Sequence, residues 1–332
     1  MIIHLHKNIS YDYAKELAEQ IGALCLEQPE YLVLITNHTV KQLPDSVASS
    51  ALNHWVFNSD MQLSSRAYHP DTYRVQIGDT YIGGDGKNQL MIAGPCAVES
   101  REQIELSCQM LKEQGIRVLR AGCYKPRTSP YTFRGLGEDG LKLLAEMREK
   151  YGLLIATEMR DATHADKVVE YADIVQVGAK AMYDHGLLTA AGQSGKPVIL
   201  KRGFGSTLQE LVNCADFIMS CGNNQVILCE RGIRSFETNT RFTLDLCGVA
   251  WLKEHCNLPI ILDPSHAMGY VYGIGDLARA CTAMGVDGLL IETHPCPACA
   301  QSDSAQQLNH QQFADIYASL QPVAQAVGKT LV

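Results

Sequence analysis

The stretch QLMIAGP at residues 89–95 decides the fold, because it opens a regular alternation of strand-like and helix-like segments. Seven further apolar or β-branched runs follow it, each separated from the next by a segment with helical spacing. The runs are RVLRAG (117–122), LLIATE (153–158), DIVQVG (173–178), PVILKRG (197–203), QVILCERG (225–232), PIILDPSH (259–266) and GLLIETHP (288–295). Eight strands, each followed by a helix over ~240 residues, predict an α/β fold, the (β/α)8 TIM barrel.

The composition of these strands also favours a closed barrel. They are almost continuously apolar, as parallel strands buried on both faces should be. The alternative is an open doubly wound sheet, in which a dinucleotide site carries a G-x-G-x-x-G fingerprint after the first strand. No such fingerprint follows residues 89–95. The barrel is therefore the predicted fold.

Two smaller regions are predicted before the barrel, which itself covers residues 89–332. Residues 1–60 predict a small α/β domain, and residues 61–88 predict a linker that forms a hairpin. Apolar alternation and helical spacing predict the order β-α-β-α-β in the small domain. The predicted segments are IIHLH (2–6), YDYAKELAEQIGALCLEQ (11–28), EYLVLITN (30–37), LPDSVASSAL (43–52) and HWVFNS (54–59). We interpret this order as a ferredoxin-like domain.

The composition excludes several classes of protein. The chain has 332 residues, 28 Lys plus Arg against 36 Asp plus Glu, a formal charge of -8, and 46% hydrophobic residues. A nucleic-acid-binding protein is normally basic, and no run approaches the ~18 apolar residues of a membrane span. The opening MIIHLHKNIS lacks the long apolar stretch of a signal peptide. We therefore expect a cytoplasmic protein with neither a nucleic-acid nor a membrane partner.

Polar and reactive side chains accumulate where the predicted strands end. They are Cys96, Arg120, Lys125, Arg127, Glu158, Lys180, Lys201, Arg202, Glu230, Arg231, Asp263, His266, Glu292, His294 and Asp303. The opposite strand ends show no such accumulation. Active sites of barrel enzymes lie at the C-terminal ends of the strands, so the sequence predicts the active site there.

Six cations on this face predict an anionic ligand. They are Arg120, Lys125, Arg127, Lys180, Lys201 and Arg231. Phosphate is the expected ligand, because a guanidinium binds it through two hydrogen bonds and Lys supplies a point charge. Prolines 126 and 130 stiffen the loop between them and reduce the entropy lost on binding. The alternative is that carboxylates such as Glu158 and Glu230 pair with some of these cations.

Four side chains on the same face suit a divalent metal ion. They are Cys96, His266, Glu292 and Asp303. Thiolate, imidazole and carboxylate together match Mn²⁺, Fe²⁺, Co²⁺ or Zn²⁺. None of the spacings is that of a zinc finger, and a lone buried cysteine is more often a core residue than a ligand.

The twelve cysteines are scattered along the chain, which favours a reducing compartment with most of them buried as small hydrophobic residues. Cys296 and Cys299 are the exception to this scatter, because they form a C-x-x-C pair. It has no second pair to complete a zinc site, and it does not open a helix after a first strand. The favoured interpretation gives it no metal or redox role.

These motifs resemble those of the 3-deoxy-D-arabino-heptulosonate 7-phosphate (DAHP) synthases. The likeness is closest to the group related to 3-deoxy-D-manno-octulosonate 8-phosphate synthases, and it spans roughly residues 65–315. The motifs are AGPCAVES (93–100), LRAGCYKPRTSPYTFRGLG (119–137), LKRGFGST (200–207), ILCERGIRSFE (227–237), LDPSHAMG (262–269) and IETHPCP (291–297) with AQSD (300–303). The N-terminal domain is similar to the ferredoxin-like regulatory extension of some members.

The resemblance implies a role for each residue of the predicted site. The implied metal ligands are Cys96, His266, Glu292 and Asp303. The implied phosphoenolpyruvate-binding residues are Arg120, Lys125, Lys201 and Arg231, with Lys180 where relatives usually carry Arg. The loop residues Arg127, Thr128 and Ser129 match those that hold the phosphate of erythrose 4-phosphate. Asp263 matches an acid beside the metal.

The implied activity is a metal-dependent condensation of phosphoenolpyruvate with erythrose 4-phosphate, the first step of the shikimate pathway to the aromatic amino acids. The metal would polarise the aldehyde, and Lys125 would donate a proton to the developing alkoxide. Either His266 or Glu292 would help to activate water, and the sequence leaves this choice open. The resemblance also implies a homotetramer or homodimer.

The sequence leaves two alternatives open. An octulosonate 8-phosphate synthase would use arabinose 5-phosphate, but such enzymes usually carry K-A-N-R where this chain has Lys125-Pro-Arg-Thr128. A catalytically inactive, phosphate-binding regulatory paralogue is suggested by GAKAMYDHG (178–186), which replaces the usual G-A-R-N-x-Q-N pattern. The four candidate metal ligands are all present, which favours an active enzyme.

Overall fold

A computed structural model describes residues 1–28, 30–125, 129 and 131–332. Its first sheet is formed by the N-terminal part of the chain, in the order β2-β3-β1-β4 with every neighbouring pair antiparallel. The elements are β1 (Ile2–Leu5), α1 (Tyr11–Ile21), β2 (Leu24–Glu27), β3 (Leu32–Ile35), α2 (Asp45–Ala48) and β4 (Ala51–Trp55). The order β-α-β-β-α-β is that of a ferredoxin-like unit.

The prediction of a single helix over residues 11–28 was wrong, because the last part of this segment is strand β2. Helix α1 ends at Ile21, where Gly22 takes the left-handed conformation with φ 63 and caps it. Leu24 then pairs with Ile35 across the sheet. The second helix is also shorter than predicted, and β4 begins at Ala51 rather than at residue 54. Short apolar runs fit both helical and strand spacing, which explains the error.

Residues 74–83 form the hairpin of β5 (Arg74–Ile77) and β6 (Thr80–Gly83). Val75, Ile77 and Ile82 pack in one buried cluster with the inward-facing residues of the barrel strands. A Cβ at Gly78 would lie 2.8 Å from Leu154, the first residue of a barrel strand. The hairpin therefore closes the N-terminal end of the barrel and leaves the other end for the site.

Eight parallel strands form the predicted barrel, and pairing of the last with the first closes it. They are β7 (Asn88–Gly94), β8 (Val118–Arg120), β9 (Leu154–Met159), β10 (Ile174–Val177), β11 (Val198–Lys201), β12 (Val226–Glu230), β13 (Ile260–Leu262) and β14 (Gly288–Glu292). A short strand, β15 (Thr330–Leu331), pairs in parallel with the first two residues of β7, Asn88 and Gln89. The prediction of an α/β barrel is confirmed.

The helices surround these strands and bury their outer faces. They are α3 (Arg101–Glu113), α4 (Glu138–Tyr151), α5 (Ala165–Tyr171), α6 (His185–Gln193), α7 (Leu208–Ser220), α8 (Leu246–His255), α9 (Pro264–Met268), α10 (Ile274–Ala283) and α11 (His310–Ala326). Alternate residues of β7 belong to different cores: Leu90 and Ile92 face the barrel interior, whereas Met91 and Ala93 join the helices. Within the described ranges, none of the helices is both long and apolar enough to cross a membrane.

The linker after the first sheet is fastened to the barrel by Asp216 of α7. Its carboxylate accepts the backbone N–H groups of Gln62, Leu63 and Ser64 at 2.7, 3.1 and 2.7 Å. Burial raises the pKa of Asp216 to about 6, although the N–H donors oppose this shift. Asn257 adds two bonds, from its side-chain amide to the carbonyls of Leu63 and Ser65. The linker is therefore held by polar contacts to the barrel.

Candidate active site

A cavity of about 470 Å³ opens at the C-terminal ends of the barrel strands. It is lined by Lys125, Glu158, Gly178, Ala179, Lys180, Lys201, Phe204, Arg231, Arg234, Arg241, Phe242, His266 and Asp303. Six of these are residues for which the sequence predicts a role, namely Lys125, Lys180, Lys201, Arg231, His266 and Asp303. The predicted side chains therefore converge, although they are spread over 179 residues of sequence between 125 and 303.

Four further predicted residues lie buried beside this cavity. Cys96, Arg120, Asp263 and Glu292 are each 5% exposed or less. Cys96, Asp263 and Glu292 contact lining residues, and Arg120 contacts Glu292. Ser129 is described but is not among the lining residues, and its hydroxyl accepts the N–H of Tyr131. The predicted phosphate-binding residues Arg127 and Thr128 lie outside the described residues.

The four predicted metal ligands lie close together. One ligand atom each from Cys96, Glu292 and Asp303 falls within a group whose members are all within 4.8 Å of one another. Cys96 Sγ lies 3.3 Å from Asp303 Oδ2, and His266 Nε2 lies 3.6 Å from Glu292 Oε1. One sulfur, one imidazole nitrogen and two carboxylates form a donor set that suits a divalent first-row ion.

Local backbone geometry places two of these side chains. Cys96 follows Gly94, which has φ 144 and whose missing Cβ would collide with the carbonyl oxygen of Arg120. Only glycine permits this close approach of β7 and β8. Asp303 has φ 48 and is the one non-glycine residue with a positive φ in the described part of the chain. Such a conformation costs free energy, and it is common at functional sites.

Two cations balance the charge of the cluster. Arg120 Nη1 lies 3.0 Å from Glu292 Oε1, and Lys125 Nζ lies 3.0 Å from Cys96 Sγ. Burial disfavours the carboxylate of Asp303, but His266 and Lys125 outweigh burial and lower its pKa to about 2. Burial is the main cause that raises the pKa of Cys96 to about 12. A bound cation would favour the thiolate, because metal binding displaces the thiol proton.

Asp263 orients the imidazole of His266. Its Oδ2 lies 2.7 Å from His266 Nδ1 and 2.6 Å from Lys201 Nζ, while Oδ1 accepts the backbone N–H of His266 at 2.9 Å. Burial lowers the pKa of His266, which favours the neutral ring that a metal requires. A carboxylate on Nδ1 leaves Nε2 as the nitrogen that faces Glu292.

Two of the six predicted cations pair with carboxylates in the described part of the chain. Lys201 pairs with Asp263, and Arg120 pairs with Glu292. Arg202, at the end of β11, binds Glu230 at 2.8 Å and Asp245 at 2.9 Å, and it is not among the residues that line the cavity. Carboxylate pairing therefore holds for Lys201 and Arg120 among the six, with Asp263 and Glu292 as the partners, while Glu230 pairs with Arg202.

The unusual segment after β10 keeps a positive charge in the cavity. Lys180 lines the cavity on a short 3-10 turn, and the neighbouring Met182 is fully buried. The sulfur of Met182 accepts the backbone N–H of Gly203 at 3.1 Å. Tyr183 points outwards and is 53% exposed. The altered residues thus pack in the core or face away, while Lys180 retains the charge but not the planar fork of Arg.

Several lining residues were missed by the sequence reasoning. Phe204 and Phe242 stack at a centroid distance of 5.7 Å. Arg234 lies over the ring of Phe204 at 4.6 Å, and Arg231 lies over the ring of Phe242 at 4.2 Å. Both arginines and Arg241 belong to the segment between β12 and α8, and three arginines within eleven residues after a strand end were an available signal.

The C-x-x-C pair lies between β14 and Asp303. Cys296 and Cys299 form a disulfide, and both residues are exposed. A disulfide does not by itself assign a metal or redox role to the pair, so the prediction that it has none stays a prediction. The segment before it is held by His294, whose Nδ1 accepts the N–H of Cys296 at 3.0 Å and whose Nε2 lies 3.3 Å from Glu99. The other ten cysteines are free.

Comparisons with known proteins agree with this geometry. The chain matches the profile of the DAHP synthetase I family over residues 66–328. It is 44% identical over 267 residues to the phospho-2-dehydro-3-deoxyheptonate aldolase of Thermotoga maritima, covering 80% of this chain and 78% of that protein. The crystal structure of the Thermotoga maritima phospho-2-dehydro-3-deoxyheptonate aldolase superposes with a TM-score of 0.81 at 38% identity, covering 100% of this chain and 99% of the other. The 2-dehydro-3-deoxyphosphooctonate aldolase of Thiobacillus denitrificans is 33% identical over 231 residues, covering 64% of this chain and 81% of that protein.

Proposed function

The chain belongs to the DAHP synthetase I family, and we propose that the cavity at its barrel mouth condenses phosphoenolpyruvate with erythrose 4-phosphate and releases phosphate. The activity is that of a 3-deoxy-7-phosphoheptulonate synthase, an enzyme of aldol type in aromatic biosynthesis. One observation carries the assignment of the site: a cavity of about 470 Å³ is lined by a group of cations, and the four candidate metal ligands lie in its wall or directly behind it. A carboxylate and two phosphates need such a concentration of positive charge.

Phosphoenolpyruvate is assigned to the deeper part of the cavity. Its carboxylate and phosphate would be held by Arg120, Lys125, Lys201 and Arg231, with Lys180 beside them. Lys125, Lys201 and Arg231 are at most 8% exposed, so each contact with an anion is made where water screens it little. Arg127, Thr128 and Ser129 are assigned to the phosphate of erythrose 4-phosphate on the basis of the sequence resemblance.

A divalent metal ion fits the donor set of Cys96, His266, Glu292 and Asp303. The two carboxylates are held ionised by neighbouring positive groups, and both have lowered pKa values against the effect of burial. Mn²⁺, Fe²⁺, Co²⁺ and Zn²⁺ all accept this mixture of sulfur, nitrogen and oxygen. When bound, such an ion polarises the aldehyde oxygen as a Lewis acid.

Lys125 is assigned the proton transfer. Burial opposes its charged form, but Cys96 and Glu158 outweigh burial and raise the pKa of Lys125. The ammonium is therefore protonated at neutral pH and can donate to the alkoxide that forms when C3 of phosphoenolpyruvate attacks the aldehyde. Water then adds at C2 and the intermediate expels phosphate. Asp263 acts by holding His266 and Lys201 in place for these steps.

The test is consumption of phosphoenolpyruvate, followed by its ultraviolet absorbance, with added Mn²⁺ and either sugar phosphate. We expect turnover with erythrose 4-phosphate and not with arabinose 5-phosphate. Turnover with the five-carbon sugar alone would assign the octulosonate reaction instead. A folded, metal-loaded protein that is silent with both sugars, yet is stabilised by phosphoenolpyruvate in a thermal shift, would be the inactive paralogue.

We further propose a cytoplasmic homotetramer or homodimer. Ten of the twelve cysteines are free, which supports a reducing compartment, and the Cys296–Cys299 pair is the exception. Exposed aromatic side chains support association, since Tyr131 is 95% and Phe236 is 98% exposed on loops at the mouth of the barrel. Light scattering of the purified chain measures the assembly directly, and a monomeric mass would contradict the proposal.

A further inference from the structure

Arg241 and Gln306 form a chain of contacts that ends on two of the candidate metal ligands. Arg241 Nη1 donates to Gln306 Oε1 at 2.6 Å, and Gln306 Nε2 donates to Glu292 Oε2 at 2.6 Å. The same guanidinium nitrogen lies 3.7 Å from Asp303 Oδ1. We propose that Arg241 and Gln306 are positioning residues that hold Glu292 and Asp303 in the arrangement that binds a divalent cation, an inference that rests on the proposed metal site.

The carboxamide of Gln306 explains why both residues are needed. Gln306 is only 2% exposed, and its amide has one donor end and one acceptor end. A carboxylate only accepts hydrogen bonds and a guanidinium only donates them, so Arg241 takes the oxygen and the nitrogen is left for Glu292. Without Arg241 the amide is free to turn, and its oxygen would then face the carboxylate of Glu292.

The amide of Gln306 is an uncharged donor, so it leaves the negative charge of the Glu292 carboxylate available to a metal ion. Its other oxygen, Oε1, lies 3.0 Å from Arg120 and 3.6 Å from His266 Nε2. A second cation on Oε2 would compete directly with a metal ion for the same negative charge. Gln306 fixes the direction of the carboxylate without adding positive charge.

Backbone hydrogen bonds hold Arg241 against the turn that carries His266. Arg241 N donates to the carbonyl of Met268 at 3.2 Å, and Phe242 N donates to that of Ala267 at 2.9 Å. Gly269 makes this approach possible, because it has φ 76 and a Cβ there would lie 2.5 Å from the Cβ of Arg241. Arg241 thus connects the short helix that carries His266, the end of β14 and the loop that carries Asp303.

The experiment measures Co²⁺ affinity of the full chain by competition with a chelator, together with the absorption spectrum of the bound ion. Arg241→Gln and Gln306→Leu should each weaken binding about tenfold and shift the spectrum. The double variant should bind more weakly than Gln306→Leu alone but lose less than the product of the two single losses, because the residues share the route to Glu292 and only Arg241 also lies against Asp303. Arg241→Lys should restore part of the loss, and Gln306→Glu should weaken binding most by placing a carboxylate against Glu292.

Arg234→Gln is the matched control, because Arg234 lies on the same segment and lines the same cavity but stacks on Phe204. It should leave Co²⁺ affinity and spectrum unchanged. The inference is overturned if folded Arg241→Gln binds Co²⁺ with wild-type affinity and spectrum, or if it changes only the KM for erythrose 4-phosphate. Failure of the wild type to bind Co²⁺, or unchanged binding after Cys96→Ala, would instead overturn the proposed metal site and the inference with it.

Discussion

Replacement of Asp263 by Asn tests the contact on which both the imidazole and a buried lysine depend. Asp263 Oδ2 lies 2.6 Å from Lys201 Nζ and 2.7 Å from His266 Nδ1. Asn has almost the same shape, but it has no charge and only one acceptor oxygen. Both groups contact the same oxygen, so an amide nitrogen at that position would face Lys201 and His266 together, whereas a nitrogen at the other position would face the backbone N–H of His266. In either orientation His266 loses the carboxylate that selects its tautomer.

The structure sets the size of two separate effects. Lys201 is 3% exposed, and removing the partner of a buried ion pair costs about 3–5 kcal/mol in the free energy of unfolding. Loss of the group that orients a metal-binding histidine lowers metal affinity by about 10- to 100-fold. We expect Asp263→Asn to show both losses, with turnover falling at least as far as metal affinity.

Urea unfolding measures the first effect, and chelator competition with Mn²⁺ on folded protein measures the second. Asp245→Asn is the control: Asp245 Oδ2 binds Arg202 at 2.9 Å on the same face, and its described contacts do not include a candidate ligand. The control should lose stability while keeping its Mn²⁺ affinity. Wild-type Mn²⁺ affinity in folded Asp263→Asn, or an equal loss in both variants, would refute the argument that Asp263 orients His266.

Three further outcomes are expected. Lys180→Arg should lower the KM for phosphoenolpyruvate about fivefold, since a planar fork adds a second hydrogen bond worth ~1 kcal/mol; an unchanged KM would mean that Lys180 does not contact the substrate. Burial raises the pKa of Asp216 to about 6 from an ordinary 3.8, so the native state binds the extra proton between these values. The free energy of unfolding of the wild type should therefore fall relative to Asp216→Asn as the pH rises from 3.8 to 6, and parallel urea-unfolding profiles of the two proteins would contradict this. Denatured without reductant, the protein should titrate ten thiols from its twelve cysteines, because Cys296 and Cys299 are bonded; twelve thiols would exclude the disulfide.

The barrel could be predicted because each of its strands is a continuous apolar run that can be recognised from consecutive residues. Runs such as residues 197–203 and 225–232 are apolar on both faces and end in charged residues. The N-terminal unit was harder, because Leu24–Glu27 is short enough to continue the spacing of the preceding helix. Only its pairing with Leu32–Ile35 makes it a strand, and that contact involves residues that no local pattern links.

The sequence by itself determined which atoms the site can offer. Cys96, His266, Glu292 and Asp303 were recognisable because their motifs, and their positions after strands, can be read along the chain. Their grouping within a few ångströms also followed from the barrel, since parallel strands place their C-terminal ends on one face.

Only the tertiary structure decided which partner each of these groups has. Arg120 meets Glu292 across 172 residues of sequence, and Arg241 meets Gln306 across 65. Such pairs depend on loop paths and side-chain directions, which hydrophobic spacing does not encode. Arg202 lies beside Lys201 in sequence, yet it binds Glu230 and Asp245 instead of facing the cavity. Consecutive residues at the end of a strand point to opposite sides of it, and the packing around them then determines their charge partners.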